Sequence, residues 1–240
     1  MLKATKDFYK KTKLNKKGFE FEEKEAPLTH VKVFYKEYPR FKSIPLEKIE
    51  DEGEFHTLLD IRESSRYFSD TPINFQDLSI ILNSCRIVNP TRDPEKRTYP
   101  SGGARFPVEL YLLSYNVEDL EEGAYHYNIK NSSLELLLKQ SLKNKRRELI
   151  SPFLENPAAT IFFTSVISRS EIKYGYRSYP YSLIEAGHMG QNIHLKCSEI
   201  GIGSCPVSGF IDDNIIRILD LTENEIPLYS ISLGRIRGRI

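Results

Sequence analysis

The alternation of apolar and polar positions divides most of the chain into short strands and helices. Runs of β-branched and aromatic residues predict strands, at 108–115, 123–128 (entered through a turn), 160–166 and 227–234. Apolar residues spaced by three or four predict helices at 133–155 and 181–200. Strands and helices in this order predict an α+β fold with a mixed central sheet flanked by helices.

Two further helices are predicted before the first strand. The segment "GEFHTLLDIRESSRYF" reads as a short helix that ends in a loop containing Arg62, Ser64 and Arg66. Asn74 is a typical N-cap, and Asp77 three residues later completes a capping pattern for a helix over 75–88. Proline, glycine and aspartate predict a loop over 89–104.

The length of 240 residues and the absence of a flexible linker predict one main domain, 51–240, after an N-terminal extension, 1–50. With 40% hydrophobic and 28% charged residues, the composition is that of an ordinary globular protein and excludes the disordered and fibrous classes. The first 17 residues carry seven lysines and one acid, Asp7, which indicates a solvated arm or an extension packed on a neighbouring subunit.

The net charge of +1 gives no general attraction to nucleic acid or to an anionic membrane, so neither is an expected partner. No apolar run reaches the roughly 18 residues of a membrane span, and the lysine-rich start lacks the core of a signal peptide. Cys85, Cys197 and Cys205 are too widely spaced for a metal pattern and are expected to be small buried residues. A cytoplasmic location is therefore expected.

Two arginine clusters are candidates for phosphate binding. Arg62, Ser64 and Arg66 alternate in "RESSR", and an extended backbone would point them to one side. Arg235 and Arg237 in "GRIRGR" follow the last predicted strand. Each cluster has a simpler interpretation, as a solvated loop and as a solubilising tail respectively.

"PSGGARFP" places Gly102 and Gly103 between two prolines, which suits either a flat molecule held against the backbone or a plain tight turn. No dinucleotide-binding or P-loop glycine motif, no GxSxG and no HExxH occurs in the sequence, and the five histidines lack a metal-ligand spacing. In the helix over 181–200, Leu183, Gly187 and Gly190 begin a small apolar face that predicts close approach of a second helix or a ring. A buried core helix is the alternative.

Five segments in order, "RESSRYF", "PSGGARFP", "EIKYGYRSY", "EAGHMGQN" and "GIGSCPVSGF", resemble the nitroreductase superfamily, and more narrowly its SagB-type dehydrogenases, which oxidise azoline rings during thiazole and oxazole peptide maturation. The resemblance covers nearly all of residues 55–235. It implies a homodimer with FMN in each of two clefts at the subunit interface.

The resemblance also implies roles for individual residues. Lys173 and Tyr174 match the catalytic Lys-Tyr pair of the azoline-oxidising members. The phosphate, the flavin ring and the ribityl chain would be bound by residues of the five segments and of the C-terminal tail: Arg62, Ser64, Arg66, Pro100, Ser101, Gly102, Gln191, Asn192, Pro206, Val207, Ser208, Gly209, Arg235 and Arg237.

The expected function is FMN-dependent dehydrogenation of thiazoline or oxazoline rings in a ribosomal peptide, with a cyclodehydratase complex and the peptide as partners. Two alternatives stay open at this point. In the first alternative, the protein is an NAD(P)H-dependent nitro or quinone reductase. In the second, it is a non-catalytic, flavin-bound scaffold of a peptide-modifying complex.

Overall fold

A computed structural model describes residues 1–14, 35–47 and 53–237. Its helices and strands, in chain order, are α1 (Lys3–Thr12), α2 (Glu54–Ile61), α3 (Phe75–Asn83), β1 (Ile87–Asn89), β2 (Lys96–Arg97), β3 (Val108–Ser114), β4 (Gly123–Asn128), β5 (Ser133–Lys139), α4 (Arg146–Leu149), β6 (Ala159–Val166), α5 (Ser168–Tyr174), α6 (Ser178–Glu199), β7 (Gly203–Val207), α7 (Asp212–Ile218) and β8 (Glu225–Gly234). Short 3₁₀ turns lie at Gly102–Ala104, Lys143–Lys145 and Gly175–Arg177.

The central sheet has six strands in the order β5-β4-β3-β6-β8-β7, and a separate two-stranded ribbon joins β1 to β2. Every neighbouring pair in the central sheet is antiparallel. The α+β class is confirmed, whereas the prediction of a mixed sheet is wrong. The strands β3, β4 and β5 form a meander, in which consecutive strands reverse direction at each turn.

The core lies on both faces of this sheet. Along β6, Ile161 and Phe163 belong to one apolar cluster and Phe162 to the other, because successive side chains of a strand point to opposite faces. The helix α6 covers the first face with Met189 and Ile193. Burial on both faces explains why β6 is an almost unbroken apolar run.

The predicted helix over 133–155 is wrong over most of its length, since only the short segments Lys143–Lys145 and Arg146–Leu149 are helical. Ser133–Lys139 is the strand β5, which pairs antiparallel with β4. The side chain of Asn128 accepts hydrogen bonds from the backbone N–H groups of Lys130 and Asn131 and so closes the hairpin turn. This local turn chemistry and pairing with β4 outweigh a leucine pattern that fits either element.

The other predicted elements agree with the structure to within a few residues at their ends, except that the helix after Asn74 is shorter. The Asn74 side chain accepts from the backbone N–H of Asp77 at 2.6 Å, which confirms the N-cap. This helix ends at Asn83 rather than 88 because residues 87–89 pair with β2. Pro180 lies in the first turn of α6, where its missing N–H costs nothing.

The helix α1 packs on its own chain, so the interpretation of the lysine-rich start as a solvated arm is wrong for these residues, and a contact with a neighbouring subunit stays a prediction. The Tyr9 hydroxyl donates to Asp212 at 3.0 Å, and the Phe8 and Tyr179 rings meet edge to face at 5.6 Å. Burial and the adjacent Asp212 carboxylate raise the pKa of Tyr9. The domain boundary at residue 50 lies outside the described residues and stays a prediction.

The three cysteines are buried and unpaired, as expected. Burial raises the pKa of Cys85 and of Cys197 to about 12, which keeps both thiols protonated and unreactive. Among the described helices, none combines the length and the apolar character needed to cross a bilayer.

Candidate functional site

A cleft of about 290 Å³ opens between the loop before β3 and the N-terminal half of α6. Pro100, Ser101 and Gly102 line one side of it. The helix contributes the other side with Tyr181, Ile184, Glu185 and His188. The cleft therefore unites the proline-glycine loop singled out in the sequence with the helix that follows the Lys-Tyr pair.

Lys173 and Tyr174, at the C-terminal end of α5, lie against the backbone of Gly103. A Cβ atom on Gly103 would collide with the Tyr174 hydroxyl oxygen and would lie 2.9 Å from the Lys173 ammonium nitrogen, and the positive φ of +58° also disfavours a side chain there. The Tyr174 ring meets the ring of Tyr181 edge to face at 5.1 Å. The predicted catalytic pair is thus brought to the edge of the cleft.

Two contacts hold α5 and the loop in this arrangement. Arg169 of α5 donates to the carbonyl oxygen of Phe106 at 3.0 Å and forms an ion pair with Glu109. The Ser101 hydroxyl oxygen accepts the N–H of Phe106 at 2.9 Å. Movement of α5 relative to the loop would break the Arg169 contacts, and the Ser101 bond fixes the loop itself, so the position of Lys173 and Tyr174 is built into the fold.

The loop that contains Arg62 lies against the other half of α6. The Arg62 guanidinium is 3.1 Å from Nε2 of His194, and burial together with this cation lowers the pKa of His194 to about 4. His194 is therefore neutral near pH 7 and accepts from Arg62 at Nε2. Its proton is on Nδ1, which donates to the Ser204 hydroxyl.

The two predicted phosphate-binding arginines of this loop keep their charge uncompensated. The loop is fixed to β7 by a 2.9 Å hydrogen bond from the Ser65 N–H to the Ser204 carbonyl. Ser64 and Arg66 are exposed, and neither Arg62 nor Arg66 forms an ion pair with a carboxylate within the described residues. A rigid loop with two unpaired guanidiniums suits an anion.

The C-terminal arginines are engaged differently. The tail runs beside the same loop, since the Ser69 N–H donates to the Arg235 carbonyl and the Arg237 N–H donates to the Tyr67 carbonyl. The Arg235 side chain, however, donates to Asp77 at 2.8 Å, so Asp77 binds this arginine and does not complete the capping pattern expected of it. Arg237 faces Glu155 at 3.9 Å. Their phosphate role stays a prediction.

The remaining predicted residues divide into two groups. On α6, Gln191 is exposed, whereas the Asn192 amide donates to the Thr98 carbonyl at 3.1 Å and so supports the loop before the cleft. Pro206 and Val207 form the end of β7. The backbone N–H groups of Ser208 and Gly209, just beyond it, donate to no acceptor among the described residues, which leaves them available to a bound molecule.

The predicted residues form two separate sites within one chain. The cleft is at Tyr181, and the basic loop contacts α6 at His194. The cleft residues of α6 run from Tyr181 to His188, so His194 lies six to thirteen positions further on, which corresponds to roughly 9–20 Å along a helix. Within the described residues, the cleft beside the Lys-Tyr pair is not lined by the candidate phosphate cradle.

Tyr181, Glu185, His188, His194 and Ser204 were not predicted from the sequence. The signal for two of them was present, because Glu185 and His194 occur among the buried positions of α6, such as Ala186 and Ile193. An ionisable residue on the apolar side of a helix is expected to have a specific partner or function.

The chain is similar to known proteins over this whole region. The nitroreductase family profile matches residues 59–235. A Methanocaldococcus jannaschii protein assigned to the nitroreductases, MJ1384, is 30% identical over 176 residues, which cover 72% of this chain and 87% of that protein. The Escherichia coli microcin B17-processing protein McbC is 29% identical over 189 residues, covering 72% and 70% respectively.

The described fold also matches a solved assembly. A chain of the E. coli microcin synthetase McbBCD complex with truncated pro-MccB17 bound superimposes with a TM-score of 0.77 at 25% identity. The match covers 98% of this chain and 92% of that chain.

Proposed function

Since this chain belongs to the nitroreductase family, we propose that it is an FMN-dependent dehydrogenase that oxidises thiazoline or oxazoline rings of a ribosomal peptide to thiazoles or oxazoles. A flavin-dependent oxidoreductase activity is the shared property of the family. The narrower assignment is carried by one observation, the convergence of Lys173 and Tyr174 on the backbone of Gly103 at the edge of the cleft. The similarity to the microcin B17-processing protein supports it.

The residues present fit FMN. Arg62 and Arg66 offer uncompensated guanidiniums beside the exposed hydroxyl of Ser64 for the phosphate. The free N–H groups of Ser208 and Gly209 suit the acceptor atoms of the flavin ring. When bound, FMN supplies the hydride acceptor that ring oxidation needs.

The chain itself contributes the proton chemistry. Oxidation of the azoline also removes a proton from a ring carbon, and the Tyr174 hydroxyl and the Lys173 amine are the candidate acceptors at the cleft edge. The Lys173 nitrogen lies 5.3 Å from the centre of the Tyr174 ring, so both candidate groups are side by side at the cleft edge. Tyr181, edge to face with Tyr174, keeps water from one side of that ring.

A second copy of the chain is the proposed partner at an uncovered apolar surface, which consists of α2 and one side of α6. The helix α2 buries none of its residues in its own chain, and Phe55 is 65% exposed. Leu183 and Ile184 of α6 are also exposed, and among the described residues no atom outside the local helix backbone lies within 4 Å of the position of a Cβ on Gly187. A homodimer through this surface would also allow the cleft of one subunit to be completed by the basic loop of the other.

Gly190 does not belong to this surface, because the ring that approaches it closely, as predicted, is one of its own chain. A Cβ on Gly190 would lie 2.7 Å from the Tyr229 ring of β8 in the same chain. Gly190→Leu is therefore expected to overpack the core and lower the free energy of unfolding by about 1–3 kcal/mol or more. Gly187→Leu should leave folding intact and weaken the dimer. Chemical denaturation and light scattering of both variants would separate these effects, and equal destabilisation by both would contradict the assignment.

The reductase alternative is kept because the M. jannaschii relative is assigned to the nitroreductases. In that case NAD(P)H would reduce the flavin and a nitro compound or quinone would receive the electrons. Stopped-flow measurement of flavin bleaching by NADPH, compared with turnover of an azoline peptide, distinguishes the two directions of electron flow. Bleaching by NADPH without peptide turnover would favour the reductase.

A cytoplasmic complex with a cyclodehydratase is part of the proposal, because the matched E. coli chain is part of a three-protein synthetase. Co-purification with such an enzyme and an unchanged product when Lys173 and Tyr174 are replaced would instead favour a non-catalytic scaffold. The visible spectrum of the purified protein after addition of FMN and removal of the excess is the first test. If no flavin band remains, the cofactor assignment is wrong.

A further inference from the structure

Glu185 is an acidic side chain that the proposed proton transfer does not use. It lines the cleft, yet only 2% of its surface is exposed. Its Oε1 atom is buried and has no hydrogen-bond partner within the described residues. An ionised carboxylate with a bare oxygen in such a place is strongly disfavoured, because burial without a partner carries a large free-energy cost.

Burial favours the neutral form of Glu185, whereas its hydrogen-bond donors and charged neighbours favour the ionised form. Ser101, whose oxygen accepts from Phe106, has its own proton free to donate to one carboxyl oxygen, and the Val108 N–H faces the same carboxyl. The charged groups nearby are Arg97 at β2 and Arg169 on α5, and both would favour ionisation. Burial outweighs them and raises the pKa of Glu185 to about 7.

The other titratable neighbours do not supply a counter-charge. Tyr99, on the segment before the cleft loop, has a pKa raised by burial and stays neutral. Tyr181 and His188 line the cleft one turn before and one turn after Glu185 on α6. Neither donates a hydrogen bond to Oε1.

We propose that Glu185 is a hydrogen-bond donor in the cleft, and that its neutral carboxyl group donates to an acceptor atom of the heterocyclic ring bound there. The inference rests on the proposed function, since two ring sources enter that cleft, the flavin and the azoline of the peptide. Donation requires the proton to stay on Glu185. Binding of the ring therefore weakens when the carboxyl group ionises.

The test compares the wild-type protein with Glu185→Gln, which keeps the shape and cannot ionise. FMN affinity is measured by fluorescence quenching from pH 6 to pH 9, and the KM for an azoline peptide is measured over the same range on FMN-loaded protein. In the wild-type protein either the dissociation constant of FMN or the KM for the peptide should rise about tenfold per pH unit above neutrality. In the variant both constants should be independent of pH. A change in FMN affinity identifies the flavin as the acceptor, and a change in KM alone identifies the peptide ring. Glu199→Gln, an exposed change on the same helix, is the matched control and should follow the wild-type profile.

A second readout needs neither ligand. The folded pKa lies above the unfolded one, so the folded protein binds more protons between pH 4.5 and about 7, and stability is lost as the pH rises through that window. Relative to Glu185→Gln, the wild-type unfolding constant should rise up to about tenfold per pH unit there. If stability, FMN affinity and KM depended on pH in the same way in the wild type and the variant, the inference about Glu185 would be wrong and the proposed function would still stand. No FMN binding by the wild-type protein at any pH would overturn the proposed function with it.

Discussion

Replacing Lys173 by alanine or Tyr174 by phenylalanine is expected to lower azoline oxidation about a hundredfold or more, the usual cost of losing a general base. FMN should stay bound, because the proposed phosphate ligands are Arg62, Ser64 and Arg66, which neither substitution changes. Both variants remove the proton acceptor or the charge beside it and leave the Arg169 contacts of α5 intact. The measurement is the rate at which the peptide loses hydrogen, followed by mass spectrometry, together with the flavin content of each variant.

Lys130→Ala is the matched control for the lysine, since it changes an exposed lysine in the β4–β5 turn. It should oxidise the peptide at the wild-type rate. Unchanged oxidation in both Lys173→Ala and Tyr174→Phe would reject the catalytic role. Loss of bound flavin in either variant would show instead that the pair is structural.

Arg62→Ala should weaken FMN binding by about tenfold to a hundredfold, because a hydrogen bond to a charged partner contributes roughly 1.5–3 kcal/mol. The same change removes the cation that lowers the pKa of His194, so this histidine should titrate at higher pH in the variant. Equilibrium titration of FMN and NMR titration of His194 measure the two effects. Arg62→Lys should recover only part of the affinity, since lysine retains the charge but lacks the planar fork.

Arg217→Ala, an exposed arginine on α7, serves as the control for charge alone and should bind FMN as the wild-type protein does. If Arg62→Ala and Arg217→Ala gave the same affinity, the phosphate cradle would not include Arg62. A His194 pKa unchanged in Arg62→Ala would contradict the contact between the two side chains.

Local sequence was sufficient to predict the strands at 108–115 and 160–166 and the helix over 181–200. Their buried faces require apolar residues at the spacing of a strand or of a helix, and that spacing is visible in the sequence. The segment 133–139 was not, since its leucines fit a helix or a strand and pairing with β4 decided between them. Lys173, Tyr174 and the "PSGG" loop were identified because short motifs resemble those of the nitroreductase superfamily. The structure brings these residues together.

Other features of the site depend on contacts between residues far apart in the chain, which no local pattern contains. Asp77 looked like a capping residue, yet it binds Arg235, 158 positions away. Gly190 looked like a contact for a second subunit, yet it accommodates Tyr229 of its own chain. The same holds for the burial of His194 and its contact with Arg62, which together lower the pKa of that histidine.

The most direct test of the account is incubation of the FMN-loaded protein with an azoline-containing peptide and oxygen, without NAD(P)H. Mass spectrometry should show the loss of two hydrogens for each ring oxidised. If the peptide mass is unchanged while NADPH bleaches the flavin and a nitro compound or quinone is reduced, the protein is a reductase and the proposed dehydrogenase function is wrong.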